Sequence, residues 1–298
     1  MLVSKRLARE AFVRESAPDN RKEAAEGTST SGGSPLGEDE KKCIPADKPW
    51  LNERIFKVGL ERCSDDDCPI CFEPLPFDGQ HYMLRVCCMQ RICNGCMMAA
   101  YYKGISTCPF CRSETPTSQM DALALLQRRV KANHPMALWR LGTIYLSGDL
   151  GLGKNIPRAL ELLHRAAEVG SRHAHDKLGQ VYYNPNYGIK QDIPRALRHW
   201  TDAAEQGHPN SRYYLGIHDG NKKRWGRALA HFMIASKMGD KHSLKMIKNM
   251  CKQNFCSRME YAEALRGFQL ADDEMHNKQR EDGQAFAKVF LSGLLPRY

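Results

Sequence analysis

One block of sequence recurs at a fixed distance, and that distance limits what most of the chain can build. Ala137, Leu141-Gly142, Tyr145, Pro157-Arg158-Ala159-Leu160, Ala166-Ala167 and Gly170 return 37 residues later. The second set is Ala174, Leu178-Gly179, Tyr182, Pro194-Arg195-Ala196-Leu197, Ala203-Ala204 and Gly207. A third copy keeps Ser211, Leu215-Gly216, Arg227-Ala228-Leu229, Ala235-Ser236 and Gly239, and is shortened by five residues between its halves. A looser fourth follows at Ser243, Ile247 and Ala264-Leu265. Ala, Leu and Tyr fall four residues apart in the first half of a copy, which draws one apolar stripe along a helix. Proline opens the second half, where the first helical turn loses nothing by a missing N–H. The closing glycine suits a left-handed cap. A single helix pair cannot bury its stripe, so the copies must stack.

This pattern resembles Sel1-like repeats, relatives of tetratricopeptide repeats, well over residues 130–240 and poorly over 241–268. Two departures stand out: Asp219 takes the place of Tyr145 and Tyr182, and Lys248 the place of Gly142. The resemblance implies an all-α solenoid of helix-turn-helix units over residues 121–270, with 271–298 as a C-terminal tail. It also implies that the repeats bind substrate or partner proteins and carry no chemistry of their own. His164, His199 and His231 recur on the second helices; with no carboxylate or thiol read at ligand spacing, they are assigned to half-buried faces of the stack. Cys251 and Cys256 are assigned as small apolar side chains in a helical stretch.

Eight of the twelve cysteines crowd between Cys68 and Cys111. They form three Cys-x-x-Cys pairs (Cys68/Cys71, Cys93/Cys96, Cys108/Cys111) and the adjacent Cys87-Cys88. A thiolate pair two residues apart grips one tetrahedral Zn²⁺ through a tight turn, and eight thiols suffice for two closed sites. Disulfides are disfavoured because nothing directs the chain to an oxidising compartment. A redox pair would need a βαβ setting that is not visible. Thiolates alone do not name the metal, so an iron–sulfur site stays open beside zinc. Around the thiols, residues 77–86 read as a turn, at Asp78-Gly79, and then a strand, and 94–103 as a short helix. A core this small must draw most of its folding free energy from its metals.

The stretch resembles a RING finger of the all-cysteine kind. The resemblance implies a zinc-stabilised α+β module over residues 63–115 with interleaved ligand pairs. Cys68, Cys71, Cys93 and Cys96 would hold one zinc. Cys87, Cys88, Cys108 and Cys111 would hold the other, with His81 the alternative to Cys87. Gln90 falls where the common pattern has a histidine. Three further positions match those with which such fingers meet a ubiquitin-conjugating enzyme: Ile70 and Pro109 as apolar contacts, and Arg112 as a cation bridging that enzyme and ubiquitin. The implied function is a RING-type E3 ubiquitin-protein ligase, which orients a thioester without a covalent intermediate of its own. The alternative is a non-catalytic zinc adaptor acting through protein–protein interaction.

Composition limits the remaining classes. The chain carries a net charge of +10, all of it beyond residue 120: residues 1–120 hold 16 Lys and Arg against 17 Asp and Glu, and 121–298 hold 28 against 17. These cations are dispersed and not interleaved with aromatic residues, so they read as a solvated helical surface and argue against nucleic acid as a partner. No run of eighteen apolar residues exists for a membrane span. Residues 1–49, rich in Ser, Gly, Pro, Glu and Lys, are expected to be disordered. Glu10 and Glu15 argue against reading the basic start as a presequence. The expected location is cytoplasmic or nuclear. No Ser-His-Asp order or phosphate-binding glycine loop is present, so no catalytic side chains are assigned.

Overall fold

The computed structural model describes residues 49–77 and 79–294. The segment 1–48, most of the stretch expected to be disordered, lies outside the described residues. A small thiol-rich module comes first. It consists of a two-stranded antiparallel hairpin, β1 (Tyr82–Arg85) and β2 (Gln90–Cys93), in register Tyr82 with Cys93 and Arg85 with Gln90, and the helix α1 (Asn94–Tyr102).

From Gln119 onward the chain is a stack of helices: α2 (Gln119–Lys131), α3 (Pro135–Ser147), α4 (Ile156–Glu168), α5 (Arg172–Tyr183), α6 (Ile193–Glu205), α7 (Pro209–Asn221), α8 (Trp225–Lys237), α9 (Lys241–Lys252), α10 (Arg258–Met275) and α11 (Lys278–Leu294). The pairs α3/α4, α5/α6 and α7/α8 are the three clear copies, and the third is short because three residues link its helices where eight and nine link the others. Asn155 and Asp192 open α4 and α6 by accepting the N–H of Arg158 and Arg195, each at 3.0 Å. Gly170 and Gly207 close them in the left-handed region, at φ 87° and 76°.

The recurring glycine of each first helix is a seat for a large residue of the second. A Cβ on Gly142 would stand 2.9 Å from Leu163, one on Gly216 2.7 Å from Phe232, and one on Gly179 would run into the Trp200 indole. Trp200 and Phe232 are both buried, so this contact repeats down the stack as its core. The fourth pair, with Lys248 at the seat, packs instead through Ile247, Met250, Phe255 and Ala264. Asp219, in the tyrosine position, is buried and paired with Arg224 at 2.7 Å and Arg227 at 3.3 Å. No described helix is long and apolar enough to cross a membrane.

Residues 49–52 and 54–56 form two short 3-10 helices, and Ile55 and Phe56 join the solenoid core. Two sequence expectations change. Cys251 and Cys256 are not two apolar residues of one helix: α9 ends at Lys252, Asn254 reverses the chain at φ 61°, and the two sulfurs pair as a disulfide. The segment expected as a tail is helical to Leu294. There α11 returns to the thiol-rich module and lies along α1. Glycines permit the close approach: a Cβ on Gly95 would stand 2.7 Å from the Gln279 carbonyl oxygen, and one on Gly283 2.5 Å from the Asn94 carbonyl carbon. Phe286 fills the flank against Tyr101 and Tyr102, with ring centroids 5.1 and 5.8 Å away.

Candidate metal centres

The two Cys-Pro-x-Cys turns are built alike. In the first, the Phe72 N–H donates to the Cys68 carbonyl at 2.8 Å and the Cys68 N–H to the Glu73 carbonyl at 2.9 Å. In the second, Arg112 donates to Cys108 and Cys108 to Ser113, both at 2.8 Å. Phe72 and Arg112 both sit at positive φ, 57° and 60°, so the backbone doubles back and leaves both sulfurs of each pair on one side. Cys93 ends β2 and its sulfur caps α1, accepting the Cys96 N–H at 3.3 Å.

Adjacent thiols in a strand would point to opposite faces. Cys87 and Cys88 avoid this because they lie in the β1–β2 turn. There the N–H groups of Cys88 and Met89 both donate to the Arg85 carbonyl, at 3.2 and 2.7 Å, and Met89 turns out at φ 59°. A coiled turn of this kind releases adjacent side chains from the alternation of a strand.

The eight sulfurs gather in two groups. Cys68, Cys71, Cys93 and Cys96 form one, and Cys87, Cys88, Cys108 and Cys111 the other, with the ligand atoms of each within 4.8 Å of one another. The first and third pairs thus combine, and the second and fourth. His81 stays apart: it is buried, with its ring 5.3 Å from that of His276.

Four sulfurs around a tetrahedral Zn²⁺ stand about 3.8 Å apart, from a Zn–S distance of about 2.3 Å. Cys71 and Cys93 are separated by 3.9 Å, Cys88 and Cys108 by 3.9 Å, and Cys87 and Cys111 by 3.4 Å. The donor set therefore fits a thiophilic divalent ion. Electrostatics points the same way. Without a cation, hydrogen bonds from Cys71, Cys93 and Cys96 hold the Cys68 thiol far down, while Cys96 is pushed far up by Cys68. Burial pushes Cys87 up to about 11. Such a pocket cannot carry four thiolates until a divalent charge balances them.

Arginines of the helical stack hold the module in place. Asp66, 1 % exposed, receives Arg91 of β2 at 2.5 Å and Arg172 of α5 at 2.8 Å. Burial would raise its pKa, and the surrounding cations, Arg91 foremost, hold it far below the carboxylate range. Arg280 of α11, also 1 % exposed, donates to the carbonyls of Pro74, Met275 and Glu73 and to Cys71 Sγ at 3.4 Å. Arg129 of α2 donates to the Cys87 carbonyl at 3.1 Å. Arg212 of α7 is fully buried against the carbonyls of Ile55, Val58 and Gly59. The sequence pattern assigns the cations of the helical stack to solvated surface. No motif marks Arg129, Arg172, Arg212 or Arg280, because the first-half carbonyl or carboxylate that holds each lies 42 residues or more away.

Of the three positions expected to meet a conjugating enzyme, Ile70 is 38 % exposed in the first thiol turn, Pro109 is half-buried in the second, and Arg112 is exposed. Phe72 and Phe110, at 79 % and 47 %, are exposed apolar residues of the same turns that the sequence reading passed over. Their places directly beside turn cysteines were the available signal.

The Sel1 repeat model matches residues 135–171 and 172–208, which are α3/α4 and α5/α6 with their closing loops. No curated protein matches the chain by sequence. Among solved structures, a Sel1 repeat protein from Oxalobacter formigenes is 20 % identical, with 60 % of this chain and 71 % of that one covered at a TM-score of 0.47. A protective antigen of uropathogenic Escherichia coli with an SLR fold is 14 % identical, over 68 % of this chain and 46 % of that one, at a TM-score of 0.43. Residues 135–208 are two Sel1 repeats.

Proposed function

We propose that this protein is a zinc-dependent E3 ubiquitin ligase of the RING type, in which the thiol-rich module engages a ubiquitin-loaded conjugating enzyme and the helical stack holds the substrate protein. The observation that carries this reading is the interleaving of the thiols, first pair with third and second with fourth. Cys68, Cys71, Cys93 and Cys96 would hold one Zn²⁺ and Cys87, Cys88, Cys108 and Cys111 the second. Bound zinc supplies folding free energy and charge balance to the module. The remaining work belongs to side chains of this chain. Ile70 and Pro109 offer apolar contact, and Phe72 and Phe110 extend it. Arg112, exposed at the end of its turn, offers a planar guanidinium to acceptors on two partners at once. Rate is gained by restricting the thioester to reactive orientations. Sel1 repeats point to protein–protein contacts, which suits substrate capture by α3–α8.

The test uses the full chain, because the module is walled by α2 and α11. Arg112→Ala should slow ubiquitin discharge from a loaded conjugating enzyme by about tenfold or more, a loss of ~1.4 kcal/mol in transition-state stabilisation. Equal discharge by the wild type and the variant removes Arg112 from the mechanism. The close seating of α11 on α1 favours a second reading, a zinc-built adaptor without ligase activity. No discharge with any member of a conjugating-enzyme panel, by protein that retains its zinc, selects that reading.

A further inference from the structure

The second Sel1 repeat contains a polar cluster that its neighbour lacks. His175 of α5 and His199 and Asp202 of α6 bring three ligand atoms within 4.8 Å of one another. His175 Nδ1 lies 3.1 Å from His199 Nδ1 and 3.5 Å from an Asp202 carboxylate oxygen. Asp202 is a carboxylate at ligand spacing to His199, three residues on and so on the same helical face, where the sequence pattern assigns none.

The repeat itself shows that stacking does not require this chemistry. Thirty-seven residues earlier the same three positions hold Leu138, Leu162 and Arg165, and both leucines are fully buried. Repeat one thus fills the place with an apolar contact that repeat two gives up. Exchanging two core leucines for imidazoles costs stability unless the ring nitrogens are used.

The rings are also held in position. His199 stacks on Tyr182, with centroids 5.9 Å apart and planes within 7°. Tyr182 is fixed in turn by a 2.8 Å hydrogen bond between its hydroxyl and His164 Nε2 and by Arg195 over its ring. Burial holds both imidazoles below their ordinary pKa, His199 at about 4. Two imidazole nitrogens on one tetrahedral ion stand about 3.3 Å apart, from bonds of about 2.0–2.1 Å. The observed 3.1 Å is close to that spacing. Asp202 is 42 % exposed, so the site opens to solvent.

We propose that His175, His199 and Asp202 form a third metal site, distinct from the thiol groups, that takes a divalent first-row transition ion with one position left to water. Two imidazoles and one carboxylate suit zinc, nickel, copper or ferrous iron rather than magnesium or calcium. The ion clamps α5 to α6 within the repeat.

The experiment titrates Zn²⁺ into full-length protein by isothermal calorimetry, with bound zinc counted by native mass spectrometry. It compares the wild type with Asp202→Asn and with the double change His175→Leu, His199→Leu. The wild type should bind one zinc more than the double variant, whatever the thiol groups hold. Asp202→Asn should bind that ion at least about tenfold more weakly, since even the loss of a group that only supports a ligand costs 10–100-fold. The double variant carries the leucines of repeat one at both histidine positions, so its thermal midpoint without metal should equal or exceed that of the wild type. Equal zinc content and affinity in all three proteins overturn the proposal. Because only the difference is read, failure of the thiol sites to bind zinc leaves this outcome interpretable.

Discussion

Truncating Asp66 is the sharpest test of how the module is fastened to the repeats. Its carboxylate joins three separate pieces of chain: its own loop, β2 through Arg91, and α5 through Arg172. Asp66→Ala leaves two guanidiniums, only 9 % and 8 % exposed, with the Asp65 carbonyl alone for Arg91 and the exposed Asp65 carboxylate, 3.5 Å away, for Arg172. Each charge pair at about 4 Å is worth ~4 kcal/mol at an effective dielectric of 20, so about 8 kcal/mol of attraction is lost. Sparing the carboxylate its desolvation returns several kcal/mol of this. The expected net loss is about 3–5 kcal/mol, the usual cost of removing one partner from a buried pair. Urea unfolding followed by circular dichroism would measure it, at fixed free zinc because bound metal adds to stability by mass action. Adding Arg172→Met removes one stranded cation and should restore about 1–3 kcal/mol, a coupling that independent sites lack. A loss under about 1 kcal/mol, or strict additivity of the two changes, would refute the argument that this ion cluster docks the module.

Three further outcomes follow from the geometry. Gly283→Ala drives a methyl into the backbone at Asn94 and Gly95, so α11 should loosen from α1 at a cost of about 1–3 kcal/mol, seen as faster hydrogen exchange over residues 278–288. Chelation at neutral pH should abolish exchange protection over residues 68–111 while α3–α8 stay protected; a module that keeps its protection needs no metal. Acid should weaken the fold through His199, whose pKa burial, then His175, depress from 6.5 to about 4. The unfolded chain takes up that proton first, so this contribution is complete above about pH 6.5 and is lost as pH falls toward 4. His199→Gln should flatten that part of the stability profile.

The repeat register was legible because each signal is local. A glycine seat, a proline at a helix start and a glycine at a helix end all recur at one offset, and the packing they imply needs only the neighbouring copy. The grouping of the thiols was legible in outline from spacing. What spacing did not disclose is how adjacent Cys87 and Cys88 serve one group, since that depends on a coiled turn closed by Met89 at positive φ. The return of α11 was hidden for a different reason. Its decisive residues, Gly95 and Gly283, lie nearly two hundred positions apart, and each is unremarked in its own surroundings. The docking arginines carry no pattern at all, because a buried guanidinium and a solvated one look the same in sequence. His175, His199 and Asp202 emerge only when the two repeats are compared position by position and α5 is seen to face α6.

Seating α11 along α1 makes an early part of a growing chain depend on a later one. Ribosomes release residues 68–111 early, with all eight thiols of the two groups present, yet the backbone at Asn94 and Gly95 stays bare until Lys278 and the residues after it have been made. A polypeptide ending before that point would carry an open-sided module and an unshielded Cys71, surfaces that chaperones and proteases recognise. The thiol-rich module is thus completed only after the helical stack has been made.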